Sequence, residues 1–263
     1  MNCIIAKRLL SACAAASLLA GSTSFAADWG TIKGKFVFKG DAKAEKIVPN
    51  KDTAYCSAHP LVDEAVVVGS EGELANVFVF LNAGRGKKVD IHPDYKAAAE
   101  PKVLDNHFCR FEPHAMTLWT ADKLEIRNSD QGIGHNTNAS MLFANPKFNE
   151  QVTVDAPIVK EFTKTESYPS KVACNVHPWM NAYVLIRDNP YAVVSAADGT
   201  FEIKNVPAGK HDFAFWHEAK GNLKDLKVGK EKADRKGQLQ IEVPAGETVD
   251  LGVIEVTPAM LGK

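Results

Sequence analysis

The chain has 263 residues, and its 31 basic and 32 acidic side chains give a formal net charge of −1 at pH 7. This balance provides no overall positive field, so nucleic acid is not an expected partner. The length is sufficient for a sizeable core and for about two domains of roughly 100 residues each.

The first 26 residues are typical of a secretory signal peptide. Two basic residues precede the apolar stretch LLSACAAASLLAG, and Ser24 and Ala26 form a small-x-small cleavage site. The apolar stretch is too short for a stable membrane helix, and no later stretch reaches the roughly 18 apolar residues that such a helix needs. Export to the periplasm without a membrane span is therefore expected. A lipoprotein is the alternative, because LSAC ending at Cys13 resembles a lipobox.

The remaining chain predicts an all-β protein, because short apolar or alternating runs are separated by Gly, Pro, Asn and Asp throughout. A break in this pattern at RDNPY, residues 187–191, predicts a boundary between two β domains. Helical periodicity is weak, and DYKAAAE at 94–100 is the best short helix candidate. The predicted strands, in chain order, lie in TIKGKFVFKG, EAVVVG, ANVFVFLN, AMTLWT, KLEIRNSD, EQVTV, AYVLIRD, YAVVSAADG, TFEIKNVPAG, HDFAFWHE, QLQIEVPAG and TVDLGVIEV.

Three cysteines, Cys56, Cys109 and Cys174, remain after removal of the predicted signal peptide. An oxidising compartment pairs cysteines where geometry allows, and an odd count leaves one unpaired. A disulfide between Cys56 and Cys109 is favoured, because Cys174 lies in a loop with the spacing of metal ligands. The alternative is a second metal site that combines these two cysteines with His59 and His107.

The stretch ACNVHPWMNAYVLI, residues 173–186, places Cys174, His177 and Met180 three positions apart, directly before a predicted strand. A copper ion that exchanges one electron is held by a thiolate, two imidazoles and a weak thioether. The second imidazole is expected from His135, because the Gly-rich turn that carries it lies at a strand end. Taken singly, these residues are more simply core or turn residues, but their joint pattern favours copper. Zinc has little use for Met, and a thiol nucleophile would have no thioether beside it.

These segments resemble the cupredoxins, the plastocyanin and amicyanin family of blue copper proteins. RFEPHAMTLWTADKLEIRNSDQGIGHNTN, residues 110–138, is similar to a family segment with Asn-x-Asp followed by His-Asn, and CNVHPWM is similar to the short ligand loop of amicyanin. The resemblance covers about residues 103–190 and implies a Greek-key β-sandwich. It also implies Asn136 as a residue that ties the two loops together, and one type 1 copper with the ligands His135, Cys174, His177 and Met180.

A second segment, DGTFEIKNVPAGKHDFAFWHE at 198–218, resembles the transthyretin-like, carboxypeptidase regulatory-like sandwich, a fold group also classed with carbohydrate-binding modules. Residues in this part of the chain are expected to contribute no metal ligand, and Trp216 and His217 are expected in the core. His114 is expected to be a structural turn histidine, with a place beside the metal ligands as the alternative. The predicted organisation is a signal peptide at 1–26, an N-terminal β segment at 27–102 with strands of the second sandwich, a cupredoxin domain at 103–190 and the second sandwich at 191–258.

The sequence therefore predicts a periplasmic electron carrier in which one copper cycles between Cu(I) and Cu(II) and no substrate is turned over. The expected partner is another redox protein, a cytochrome or a dehydrogenase. The main alternative is a carbohydrate- or protein-binding sandwich with a structural or vestigial cupredoxin domain. A copper store or chaperone is disfavoured, because the chain has no Met-rich tract and no extra cysteines around the loop.

Overall fold

The computed structural model describes residues 29–84, 86–142 and 144–263, so the predicted signal peptide at 1–26 and its lipobox cysteine, Cys13, lie outside the described residues. The described chain is almost entirely β, which confirms the predicted fold class. Within these ranges, none of the helices is both long and apolar enough to cross a membrane.

The two helices of the described residues are single short turns, and the strands account for the architecture. The helices are α1 (Thr53–Cys56) and α2 (Pro258–Leu261). The strands are β1 (Trp29–Phe38), β2 (Phe78–Leu81), β3 (Lys102–His107), β4 (Arg110–Glu112), β5 (Ala115–Trp119), β6 (Lys123–Asn128), β7 (His135–Ser140), β8 (Phe148–Val152), β9 (Ile158–Glu161), β10 (Ser170–Ala173), β11 (Asn181–Arg187), β12 (Ala192–Val194), β13 (Thr200–Pro207), β14 (Gly209–His217), β15 (Gly221–Asn222), β16 (Lys227–Val228), β17 (Glu231–Lys232), β18 (Gln238–Val243) and β19 (Thr248–Val256).

Strands from both ends of the chain build one sandwich. β1 lies between β13, with which it pairs antiparallel, and β19, with which it pairs parallel. The facing sheet has the order β12-β2-β14-β15, and β18 also pairs with β14. The two sheets enclose an apolar core that includes Phe36, Val79, Phe213, Phe215 and Ile254. The early strands β1 and β2 therefore share their sheets with strands that follow residue 191.

Residues 102–187 build a second sandwich, which carries the predicted metal ligands. One sheet has the order β5-β11-β10-β7-β8, and the other has the order β4-β3-β6-β9. The alternating pattern of β6 turns Leu124 and Ile126 inward, where they join a core with Val172 and Val184 of the other sheet. Period-two alternation of this kind is what a strand with one buried face requires.

The two sandwiches share an apolar interface between β2 and β11. Val79 and Leu81 of β2 point into the first core, whereas Phe78 and Phe80 pack in a separate cluster with Leu185 of β11. Burial on two faces explains why β2 is a continuous apolar run and why β11 has the apolar run AYVLI between Asn181 and Arg187.

One predicted strand, EAVVVG at 64–69, is wrong. Val68 makes only an isolated bridge to Leu74. The chain turns back directly after it, because the Gly69 N–H donates a hydrogen bond to the Glu73 carbonyl at 2.8 Å. The apolar run correctly indicates that these residues are partly buried, but the chain reverses too soon after Val68 for a paired strand to form.

The helix candidate DYKAAAE at 94–100 is also wrong, because the segment contains no helix. Its polar groups bond to distant parts of the chain. The Tyr95 hydroxyl donates to the Lys204 carbonyl at 2.8 Å, and the Ala98 N–H donates to Asp122 Oδ1 at 2.8 Å. These tertiary contacts override the helix propensity of the three consecutive alanines.

Candidate metal centre

Three of the four predicted ligands, His135, Cys174 and His177, meet at one end of the second sandwich. His135 is the first residue of β7, and Cys174 directly follows β10. The two strands are antiparallel neighbours with Asn138 opposite Ala173, so the start of β7 lies beside the end of β10. The loop from β10 to β11 then brings His177 to the same place. The sheet register therefore joins ligands that are about forty positions apart in the chain.

The three donor atoms converge closely. Cys174 Sγ lies 3.9 Å from His135 Nδ1 and 3.8 Å from His177 Nδ1, and the two Nδ1 atoms are 3.0 Å apart. Metal bonds of about 2.0 Å to nitrogen and about 2.3 Å to sulfur, the values for zinc, place such donors 3 to 4 Å from one another. Among the described residues, this is the one group of His, Cys, Asp and Glu donors that converges in this way.

The loop from Cys174 to Met180 is closed by its own backbone. The Cys174 N–H donates to the Met180 carbonyl at 3.2 Å, and the Met180 N–H donates to the His177 carbonyl at 2.9 Å. The His177 N–H also donates to Cys174 Sγ at 3.4 Å. Met180 is buried in the same apolar cluster as Cys174. The spacing of three residues therefore forms a compact turn that its own backbone hydrogen bonds close.

The Asn136 side chain links the start of β7 to the loop between β10 and β11. Its Oδ1 accepts hydrogen bonds from the N–H groups of Asn175 at 2.7 Å and Val176 at 3.3 Å. The Cys174 thiol lies 3.5 Å from the same oxygen. The Asn136 amide donates to Asn149 Oδ1 on β8, which fixes its orientation.

Each ligand histidine has a carboxylate on the ring nitrogen that faces away from the cysteine. His135 Nε2 donates to Asp130 Oδ2 at 2.9 Å, and His177 Nε2 donates to Asp52 Oδ2 at 2.8 Å. A proton on Nε2 leaves the lone pair of Nδ1 free to bind a metal ion. Carboxylate–histidine–metal arrangements of this kind fix the tautomer and the ring orientation of metal-binding histidines.

Asp130 is itself held by several donors. The N–H groups of Phe108 and Cys109 donate to its carboxylate at 2.6 Å and 2.9 Å, and the Tyr55 hydroxyl donates at 2.9 Å. Burial acts to raise the pKa of Asp130, but the bonds from His135 and from these donors outweigh burial and lower the pKa. The carboxylate is therefore ionised where it contacts His135.

The site also favours a thiolate. Burial acts to raise the pKa of Cys174, but hydrogen bonds to its sulfur from His135, His177 and nearby backbone groups outweigh burial and lower the pKa from 9.0 to about 5. The bonds from the histidines need a proton on Nδ1, which a bound metal ion would replace. For His135, burial acts to lower the pKa, but Asp130 and Cys174 outweigh it and raise the pKa. A preformed thiolate matters because the thiolate, not the thiol, is the form that binds metal.

The other sequence candidates have different roles. Cys56 and Cys109 form the predicted disulfide, with their Cα atoms 5.6 Å apart, and Cys174 is the free cysteine among the described residues. His59 and His107 do not join them in a second metal site, because both sulfurs are bonded to each other and no thiolate remains, and the two rings stack on Phe108.

The histidines outside the ligand group have structural contacts. His114 Nε2 bonds the Glu218 carboxylate, in an inter-sandwich contact. His217 is fully buried, as the sequence predicts, and Trp216 is nearly so. His211 Nε2 donates to the Pro207 carbonyl at 2.7 Å.

Sequence reasoning missed two residues of this centre, Asp52 and Tyr55. Asp52 is 125 positions from His177, and Tyr55 is 75 positions from Asp130. The short motif DTAYC at 52–56 has no metal-ligand spacing, so no local signal distinguishes it. Its proximity to Cys56 is the one available clue, because the predicted disulfide brings the segment to Cys109.

The donor set fits a copper ion. One thiolate and two imidazole nitrogens converge, and a soft thioether is buried next to the same loop. The nearest carboxylates, Asp130 and Asp52, are engaged with the outer nitrogens of the histidines. Soft sulfur donors combined with imidazole select copper or zinc over hard cations such as Mg²⁺.

No family model matches the chain, and no curated protein matches it. Among solved structures, the chain is similar to the copper-containing nitrite reductase (NirK) of Thermus scotoductus SA-01, with 14% identity and a TM-score of 0.31 over 38% of this chain and 25% of that chain. It is similar to a reduced mutant of amicyanin with 18% identity and a TM-score of 0.30, over 34% of this chain and 85% of that chain. It is also similar to the reduced Cu(I) form of another amicyanin mutant at pH 4, with 16% identity and a TM-score of 0.30, over 41% of this chain and 98% of that chain. This chain thus spans about a quarter of the length of the nitrite reductase.

Proposed function

We propose that the protein is a periplasmic type 1 copper protein that carries single electrons between redox partners and turns over no substrate. The observation that supports this proposal best is the convergence of Cys174 Sγ with the Nδ1 atoms of His135 and His177, at separations of 3.0 to 3.9 Å. Copper held by these donors would supply a one-electron Cu(I)/Cu(II) couple. The periplasmic location is supported by the signal-peptide pattern at 1–26.

The chain's own residues hold the donors in one arrangement. His135 and His177 are fully buried, and Cys174 is 2% exposed. Hydrogen bonds from the histidine rings to carboxylates and from the ligand loop to Asn136 restrict movement of all three side chains. A site whose donors are locked by such supporting contacts changes little between oxidation states, which favours electron transfer.

Met180 is the proposed weak fourth donor. Its side chain is 1% exposed and packs in the same cluster as Cys174. A buried thioether at this position favours copper, because structural zinc sites are completed by further Cys, His or carboxylate ligands. We expect Met180→Gln to keep the copper–thiolate colour and to shift the reduction potential, because the axial ligand tunes that potential.

The proposed partner is another redox protein, such as a cytochrome or a dehydrogenase. All four proposed ligands are buried, so an electron has to cross the residues that cover them. Direct contact between the ligands and a substrate molecule would require these covering residues to move. This arrangement is suited to electron exchange with a docked protein surface.

The test is copper titration of the metal-free mature protein, followed by visible absorption spectroscopy. One equivalent of Cu(II) should produce an intense thiolate-to-copper charge-transfer band, and reduction should bleach it reversibly. Cys174→Ser should lose the band, because a hydroxyl is a harder ligand that does not reproduce the copper–thiolate bond. His135→Ala and His177→Ala should each open a coordination position to water.

His211→Ala is the matched control, because His211 bonds a backbone carbonyl in the other sandwich and should leave the band unchanged. A protein that binds one copper without a thiolate band would contradict the proposal. A Cys174→Ser variant as strongly coloured as its parent would contradict it equally.

A further inference from the structure

The metal centre is covered by a segment from outside the sandwich that carries its ligands. This segment is the turn of residues 52–56, which contains α1. Its first residue, Asp52, accepts the hydrogen bond from His177 Nε2, and Tyr55 donates to Asp130, which in turn holds His135. A single turn therefore reaches the outer side of both ligand histidines.

The conformation of Asp52 indicates that its contact with His177 has a specific role. Asp52 occupies the position before α1 where an aspartate normally accepts hydrogen bonds from the helix N–H groups. It makes no such side-chain bond, and its backbone is left-handed, with φ of 43° and ψ of 43°. Residues other than glycine populate this region sparsely, and they persist there when the surroundings enforce it. The carboxylate points to His177 instead of capping its own helix.

The cover is fixed to the ligand-bearing sandwich at its other end. Cys56, the last residue of α1, forms the disulfide with Cys109. The Trp179 indole donates to the Cys109 carbonyl at 2.9 Å, and the Cys109 N–H donates to Asp130. The disulfide therefore links the cover both to the ligand loop, through Trp179, and to the carboxylate that holds His135.

We infer that residues 52–56 are a built-in cover of the metal centre and that Asp52 is a positioning residue for His177. This inference rests on the proposed function and deepens it. Asp52 fixes the proton of His177 on Nε2 and keeps Nδ1 directed at the metal position. Its negative charge stabilises the more highly charged Cu(II) form over Cu(I), and the turn keeps the His177 ring away from water.

The test compares Asp52→Asn and Asp52→Ala with Asp63→Asn in the full mature chain. Asp63→Asn is the matched charge control, because this exposed carboxylate lies a few residues after the turn and accepts its hydrogen bond from the Ala65 N–H. Both Asp52 variants should bind Cu(II) about 10- to 100-fold more weakly, the usual effect of removing the partner of a metal-binding histidine. Asp63→Asn should bind copper as the wild type does.

The reduction potential gives a second readout that a purely structural role would not change. A tenfold loss of Cu(II) affinity relative to Cu(I) raises a one-electron potential by about 59 mV. We expect Asp52→Asn to raise the potential and Asp63→Asn to leave it unchanged. Equal potentials and equal copper affinities in these two variants would overturn the inference, even with the thiolate band intact.

A third readout needs no metal. NMR spectra of the metal-free protein should show the His177 Nε2–H proton protected from solvent exchange in the wild type and exposed in Asp52→Ala. An equally protected proton in Asp52→Ala would overturn the inference. If the wild type binds copper without a thiolate band and Asp52→Asn still weakens that binding, the proposed function fails while the positioning role of Asp52 stands.

Discussion

At the scale of single residues, Asn136 shows how one side chain fixes the geometry of two loops. It is 9% exposed, and its Oδ1 accepts from two consecutive backbone N–H groups in the ligand loop. A cysteine loop held by backbone bonds in this way keeps its shape without a metal ion. The role of Asn136 is therefore testable in the metal-free protein.

Asn136→Ala should lower the free energy of unfolding of the metal-free protein by about 1–2 kcal/mol, because two hydrogen bonds lose their acceptor. Urea denaturation monitored by circular dichroism measures this change. Asn138→Ala is the matched control, since Asn138 lies two residues along the same strand and its side-chain amide donates to Asn175 Oδ1 rather than accepting from the loop backbone. A loss for Asn136→Ala no larger than for Asn138→Ala would show that Asn136 does not organise the loop.

At the scale of elements, the disulfide joins the cover turn to the sandwich it covers. It closes a loop with a sequence separation of 53 residues. On the chain-entropy account, a cross-link of this span stabilises the folded protein by about 4 kcal/mol. Both cysteines are fully buried, and Trp179 packs against them. The same cross-link therefore contributes to stability and fixes the cover beside the ligands.

The double variant Cys56→Ala/Cys109→Ala should lose about 4 kcal/mol of stability, because the unfolded chain regains the freedom of the open loop. Thermal unfolding of the metal-free protein, compared with the wild type under oxidising conditions, measures the loss. Adding a reductant should destabilise the wild type and leave the double variant unchanged. A double variant as stable as its oxidised parent would contradict this prediction.

The sequence predicts strands well where one face is apolar and poorly where the buried face is polar. β6 and β18 alternate and lie within predicted strands. β7, with the sequence HNTNAS, was not predicted, although His135, Asn136 and Thr137 are all buried. Its buried residues His135 and Asn136 are polar because they contribute to the candidate site and hold the loop of Cys174, so hydrophobic periodicity is absent there.

In the candidate site, the donor residues can be predicted from the sequence, but the carboxylate that holds His177 cannot. Cys174 and His177 are predictable because ligand chemistry requires those residue types at tight spacing, and His135 is predictable because its Gly-rich turn follows a strand. Asp52 was not predictable, since its contact with His177 depends on how a distant segment packs against the sandwich. Such contacts are set by tertiary structure, and a single sequence contains no periodicity or motif for them.

At the scale of the whole molecule, the two sandwiches are joined by polar as well as apolar contacts. His114, which lies between β4 and β5, bonds Glu218, which follows β14. Glu64, from the N-terminal segment, lies with its Oε2 3.7 Å from His114 Nδ1, and Arg110 Nη1 lies 2.9 Å from Glu64 Oε1. One imidazole thus lies between carboxylates from two other parts of the chain.

The charge state of His114 is set by these neighbours. Burial acts to lower its pKa, but the hydrogen bond to Glu218 and the charges of Glu218 and Glu64 outweigh burial and raise it. Two other buried groups nearby do not titrate between pH 6 and 9. Burial and Glu218 raise the pKa of Tyr183 to about 12, and burial and the charge of His114 lower the pKa of His217 to about 4. The neighbours of His114 therefore favour its protonated form, whereas those of His217 favour the neutral form.

The contribution of His114 to the stability of the protein should fall as pH rises through its raised pKa. The folded state binds this proton more tightly than the unfolded state, in which the pKa is about 6.5. The stabilisation is therefore fully present below pH of about 6.5 and is lost as His114 deprotonates in the folded protein. His114→Gln should remove about 1.5–3 kcal/mol at pH 6, the value of a hydrogen bond to a charged group, and less at pH 9.

Urea denaturation of wild type, His114→Gln and the control His211→Gln from pH 6 to 9 measures the difference. A stability difference between wild type and His114→Gln that stays constant or grows with pH would show that the protonated imidazole does not join the two sandwiches.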